Sequence, residues 1–245
     1  MIGNDIVYLH SGVYNDRIAG SRFKTKFLNA QELELFSSGD PEVYLLWMIW
    51  SVKEAVFKCC KRTENQLKFN PTRITVFSIF SNTDKQPNPE FNPDRLEGMG
   101  TDRLYSINCR IKYLSHIFYS SSLVTNRFIH TIACADETSF KSAFWGVKKM
   151  NHTDYSLQSQ EVRKYLADAI CSNEPSLSSG YFHFSKDEFF IPELYINQMK
   201  SNLVFSLSHD HHYLAYSYLG PVSGDNSPRH QARMISINPA TMNPG

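Results

Sequence analysis

PEVYLLWMIWSVKEAVFKCCKR, residues 41–62, reads as one long helix. Asp40 just before it is a good N-cap, and Pro41 suits the first helical position, where a backbone N–H has no intrahelical partner to lose. Leu45, Met48, Val52, Ala55, Val56 and Cys59 make a broad core face, while Trp50, Glu54 and Lys58 follow one another at i, i+4 and i+8 along a second stripe. Bulk flanks that second stripe on both sides, so its charges are not expected to be freely exposed.

Working outward, the chain supplies strands. Ile2 to Tyr8 is a short β-branched run with Asp5 at its middle, an edge or buried strand whose carboxylate needs a partner. Arg73 to Phe80 alternates polar and apolar residues, and Leu104 to Tyr113 and Arg127 to Ala135 are further strand candidates, separated by the Ser-rich stretch Tyr119 to Leu123. Asn29 can cap a short helix starting near Ala30, and residues 156 to 171 restore helical periodicity behind Ser156 or Ser159 as cap. Tyr181 to Phe184, then KDEFFIPEL, then LVFSLSHDHHYLAYSYLG predict a strand, a turn, a strand and a closing hairpin. Ser81 to Asp102, punctuated by Pro87, Pro89, Pro93, Gly98 and Gly100, is expected to be a long surface loop, and residues 221–245 a flexible tail. No internal repeat is evident in the letters.

The 245 residues are 42% hydrophobic and 20% charged, a globular composition long enough to bury a real core. Twenty-five Lys and Arg balance 24 Asp and Glu, so no overall field draws in nucleic acid or an anionic membrane, and electrostatic recognition must be local. The five cysteines form no CxxC pair and read as reduced thiols. The N-terminus lacks the basic and long apolar regions of a secretory signal, and the longest apolar run, Val43 to Trp50, falls far short of the roughly 20 residues that span a bilayer. A cytoplasmic protein is expected.

Three groups of residues carry chemistry. Asp5, Glu54 and Lys58 put two carboxylates and an amine on structured elements. Glu54 and Lys58 alone would be an ordinary intrahelical ion pair contributing about 0.3–0.5 kcal/mol. On a helix with nearly all other faces apolar, however, the carboxylate is partly desolvated and calls for a cation, and Mg²⁺, which is commonly held by one or two carboxylates plus substrate phosphates, would serve. The second group is SLSHDHHY, residues 206–213. Alternation sends His209 and His211 to one face of a strand and His212 to the other, which disfavours a zinc site and leaves two readings. In one, Asp210 and His211 are turn residues; in the other, Ser208 and His209 contact phosphate at a strand end. The third group is the basic cluster Arg17, Arg22, Lys24 and Lys26, with Lys53, Lys58, Lys61 and Arg62 behind it, either a solvated face or a receiver of phosphates or an acidic protein. No Gly-rich phosphate loop, GxSxG elbow or HExxH is present.

IGNDIV at 2–7, WSVKEAVFK at 50–58 and FSLSHDHHYLAYSYL at 205–219, in that order, resemble the 4′-phosphopantetheinyl transferase superfamily, in particular its holo-acyl-carrier-protein synthase branch. KDEFFIPEL and FLNAQEL resemble segments that accompany those motifs, whereas roughly Asn70 to Gly180 matches poorly. Tyr8 stands where many relatives carry another acid. The resemblance implies an α+β fold in which an antiparallel sheet packs against a long helix carrying the Lys-Glu motif. It implies a transferase domain over 1–220, with 81–180 an insertion or a second half-module.

The implied reaction moves the phosphopantetheine arm of coenzyme A to a serine of an apo acyl or peptidyl carrier protein, as in fatty acid or polyketide biosynthesis, and releases adenosine 3′,5′-bisphosphate. By the same resemblance, Asp5 and Glu54 hold Mg²⁺, Lys58 stabilises the leaving phosphate, and Ser208 and His209 contact coenzyme A phosphates. A water on the metal or Glu54 assists deprotonation of the serine. Arg17, Arg22, Lys24 and Lys26 dock the acidic carrier protein. The motif order also suggests an oligomer, a homotrimer, in which the Asp and Lys-Glu motifs face the Ser-His motif of a neighbour. The alternative is a non-catalytic coenzyme A or carrier-protein binding module of the same fold.

Overall fold

A computed structural model describes residues 1–9, 21–34, 43–81 and 105–220. The expected loop at 81–102, the tail from 221, Arg17 and the Asp40-Pro41 cap lie outside the described residues, apart from Ser81 at the end of a strand.

Strand β1 (Ile2–Tyr8) leads to two short helices, α1 (Ser21–Phe27) and α2 (Ala30–Glu34), then to the long helix α3 (Val43–Lys61). Asn29 caps α2 reciprocally, as its sequence position predicts. Its Oδ1 accepts from Glu32 N at 3.0 Å, and Glu32 Oε2 accepts from Asn29 N at 2.9 Å. Strands β2 (Thr75–Ser81), β3 (Tyr105–Tyr113), β4 (His116–Val124) and β5 (Phe128–Cys134) complete an antiparallel sheet in the order β1-β5-β4-β3-β2. The Ser-rich stretch taken from the sequence as a separator is therefore the heart of β4. Its small hydroxyl residues turn inward, with Ser120 and Ser122 buried and Ser122 Oγ 2.9 Å from Thr131 Oγ1 on β5. Helix α3 lies across this sheet, and Met48, Val52, Ala55, Val56 and Cys59 join Ile107, Cys109 and Ile111 in the largest core.

A second unit follows the same path. Strand β6 (Ala143–Lys149) runs into helix α4 (Tyr155–Asn173), then into the small sheet β7 (Phe182–Lys186), β8 (Pro192–Ile196) and β9 (Met199–Lys200), then into the hairpin β10 (Phe205–Asp210) and β11 (Tyr213–Leu219). The last strand β11 returns beside β6 just as β5 returns beside β1. The cap of α4 is Asp154, which accepts from Leu157 N, and not Ser156 or Ser159, because the helix starts one residue earlier than its apolar period shows. Tyr165, Leu166 and Ile170 of α4 pack on Phe205, Tyr216 and Tyr218 as a second core. The repeat escaped the sequence because only its path recurs. One shared letter betrays it: each unit has a glycine in its first strand, Gly3 under the backbone of α3 and Gly146 under the rings of Tyr165 and Tyr216.

At Gly3 that approach is extreme. A Cβ there would sit 2.0 Å from the Ala55 carbonyl oxygen and 2.7 Å from Cys59 N, both backbone atoms of α3. Gly3→Ala is expected to cost about 3 kcal/mol or more, since the whole helix must lift to admit one methyl group. Urea unfolding checks this, and an unchanged midpoint would show that the helix is not pinned there.

Candidate active site

The two units meet along the free edge of β1. That edge offers three backbone N–H groups, and β10 answers them with side chains at alternate positions: Asn4 N donates to Ser206 Oγ (3.0 Å), Ile6 N to Ser208 Oγ (3.1 Å) and Tyr8 N to Asp210 Oδ2 (2.7 Å). Period-two placement of Ser206, Ser208 and Asp210 on one face of a strand makes this ladder possible. It fixes how Asp5, between the first two rungs, stands against Ser208.

A cleft of about 380 Å³ opens at this seam, lined on one side by Asp5, Glu54 and Lys58 and on the other by Ser208, His209 and Tyr155. The structure thus brings together, within one chain, the sequence's first and second chemical groups. Lys58 Nζ stands 3.0 Å from Asp5 Oδ1 and 3.7 Å from Glu54 Oε1, so both carboxylates converge on one ammonium. Ser208 Oγ donates to Asp5 Oδ1 at 3.2 Å and lies 3.4 Å from Lys58 Nζ, so this hydroxyl belongs to the seam as well as to the cleft.

The charges do not balance comfortably. Burial and then the negative charge of Glu54 push Asp5 up to about 7, against the pull of Lys58. Burial also opposes the charge on Lys58, but Asp5 and Glu54 outweigh it and hold the ammonium protonated beyond its usual range. Asp5 Oδ2 is buried with the Ser51 side chain near it, yet neither atom is satisfied in hydrogen-bond geometry. A buried carboxylate oxygen with an open lone pair, a second carboxylate repelling it and only one ammonium between them is a donor set that suits a further hard cation. Among the described residues no three His, Cys, Asp or Glu side chains group as metal ligands, so such an ion would draw the rest of its shell from ligand oxygens and water.

Other sequence candidates fall elsewhere. Lys53, grouped from the sequence with the basic cluster, is fully buried against Glu32. Lys24 and Lys26 end α1. Arg22 lies within α1, and Arg17 is outside the described residues. His211 takes the left-handed turn conformation expected of it (φ 48°), with Nδ1 2.8 Å from Asp210 Oδ1, whereas Asp210, expected beside it in the turn, ends β10 and pairs with Tyr213. Two residues that the sequence reading did not single out, Tyr155 and Gln158, reach His209 from the start of α4. The signal for Gln158 was present: a polar residue on the stripe 158, 162, 165, 166, 169 that is otherwise the helix's buried face.

The fold is α+β, and the cleft between its two antiparallel units brings two acids and an ammonium together. The sequence model of the 4′-phosphopantetheinyl transferase superfamily matches residues 1–104, which carry Asp5, Glu54 and Lys58, and this match supports membership of that superfamily of transferases. No curated protein and no solved structure matches the chain. Among the described residues, no helix is long and apolar enough to cross a membrane.

Proposed function

We propose that this cleft transfers the 4′-phosphopantetheine arm of coenzyme A to a serine hydroxyl of an apo acyl or peptidyl carrier protein, in the manner of a holo-acyl-carrier-protein synthase. The observation that carries the reading is the convergence of Asp5 and Glu54 on Lys58, opposite Ser208 and His209. In the step, the serine oxygen forms a bond to the β-phosphorus of coenzyme A while the bridging bond to the α-phosphate breaks, and adenosine 3′,5′-bisphosphate leaves. The serine proton passes to an acceptor in the cleft. Mg²⁺ bound by Asp5 and Glu54 would neutralise the diphosphate charge. Lys58 meets the charge that builds on the leaving phosphate, and the two carboxylates keep it protonated for that task.

Because one chain supplies both sides of the cleft, we read the active unit as self-contained, with residues 143–219 as the second half-module and no neighbour needed to contribute a Ser-His motif. The basic residues Arg22, Lys24 and Lys26 of α1, with Arg17 before it, are the proposed carrier-protein contact, since carriers present acidic surfaces. The test is the mass of an apo carrier protein incubated with the enzyme, coenzyme A and Mg²⁺. A gain of one phosphopantetheine arm, lost on chelation, is expected. Binding without any mass gain would leave only the alternative, a coenzyme A or carrier-protein binding module.

A further inference from the structure

Gln158 is 3% exposed, and both ends of its amide are engaged. The Nε2 donates to the backbone carbonyl of His211. A carbonyl only accepts, so this bond fixes which way round the amide sits and turns Oε1 towards His209, whose Nδ1 is 2.8 Å away. An amide oxygen cannot donate either, so the proton in that second bond belongs to His209 Nδ1. In a neutral ring the remaining nitrogen, Nε2, then carries a lone pair.

The ring itself lines the cleft, and Tyr155 stands edge-on to it at a centroid distance of 4.8 Å. Around it are Lys58 from α3, Arg163 from α4, Lys186 from β7 and Asp210 from its own strand. Burial first, and Lys58 next, hold the imidazole below its ordinary value, which favours the neutral ring.

We propose that Gln158 is a positioning residue that locks His209 in its Nδ1–H tautomer, so that Nε2 meets the ligand as a hydrogen-bond and proton acceptor for an O–H group. That O–H is either the hydroxyl of the acceptor serine or the acidic proton of a phosphate monoester. The lock stands on the two hydrogen bonds alone; the ligand assignment rests on the proposed transfer reaction, and it makes the phosphate contact expected of His209 an accepting one.

The experiment is nitrogen-15 NMR of histidine-labelled protein at pH 8, which reads the protonated nitrogen of each ring without reference to turnover. Wild-type His209 is expected to show a protonated Nδ1 and a bare Nε2. Gln158→Leu should release the ring to the ordinary Nε2–H form, and Gln158→Glu, whose carboxylate also accepts from Nδ1–H, should restore the lock. A wild-type proton on Nε2, or on both nitrogens, overturns the proposal, and that reading needs no variant to fold.

With apo carrier protein and coenzyme A as substrates, Gln158→Leu is expected to lower kcat/KM on the order of tenfold to a hundredfold. A loss in kcat with unchanged KM for coenzyme A assigns the O–H to serine; a rise in that KM assigns it to phosphate. Unchanged kinetics alongside a shifted tautomer would overturn the ligand assignment and leave the lock standing.

Discussion

Asp5→Asn is expected to give a protein that is more stable than the wild type and nearly inactive. Stability comes first. Asp5 is held at about 7 in the fold against an ordinary value of 3.8, so between those pH values the folded chain keeps a proton that the unfolded chain has lost. Its contribution to stability is therefore unfavourable above pH 4, grows as pH rises and is largest above pH 7. An asparagine keeps the Oδ1 that accepts from Lys58 and Ser208 and removes the buried charge. In buffer with chelator, Tm should rise, and rise more at pH 8 than at pH 5, at about 2–4 °C per kcal/mol for a chain of this size.

Activity moves the other way. Loss of one of two carboxylates that would hold the ion should lower kcat on the order of a hundredfold to a thousandfold, comparable with removing one transition-state contact to developing charge. Glu54→Gln should share the loss. Thermal melts with Mg²⁺ and coenzyme A together check the site without turnover: the wild type should gain stability from the pair and both variants should not. Wild-type turnover in either variant would sink the metal reading.

Which residues line the candidate cleft was more legible than the scaffold that brings them together. Asp5 declared itself as a carboxylate inside a β-branched run, and Glu54 and Lys58 as a polar stripe on an apolar helix; residue type and period suffice for such features. That β10 would reach β1 through Ser206, Ser208 and Asp210 was not legible, because contacts some 200 residues apart leave no local period. Strand β4 was missed for a related reason, since buried serines satisfied across strands look like surface serines in a single chain. Lys53 was misjudged because one lysine among several gives no sign of which ammonium goes inside. Its neighbour Glu54 turned out to face the cleft, one residue and about 100° further round the helix.

That buried ammonium makes the second large prediction. Lys53 is fully buried, and its three donors are all used, on Glu32 Oε2 at 2.5 Å, the Phe27 carbonyl at 2.6 Å and the Pro71 carbonyl at 2.9 Å. Glu32 in turn accepts from Asn29 N and, through Oε1, from Val76 N at 2.8 Å. One ion pair thus ties the end of α1, helix α2, helix α3, the turn at Pro71–Arg73 and strand β2 to each other, and sets the rotation of α3 that aims Glu54 and Lys58 at the cleft. Burial, the larger influence, pulls Lys53 below its usual range against the attraction of Glu32, so the pair is held by geometry more than by net charge attraction.

Glu32→Ala leaves a buried ammonium with carbonyls alone and strands the Val76 amide, and should cost about 3–5 kcal/mol, a third or more of the stability of an ordinary domain. Lys53→Met should cost less, because Glu32 keeps its two backbone donors. The double substitution Lys53→Met with Glu32→Ala, which leaves no lone charge, should cost clearly less than the two single losses taken together, and urea unfolding of all four proteins measures that coupling. Strictly additive losses would mean that the two charges do not act as one pin, and that the aim of Glu54 and Lys58 is set by the apolar face of α3 alone.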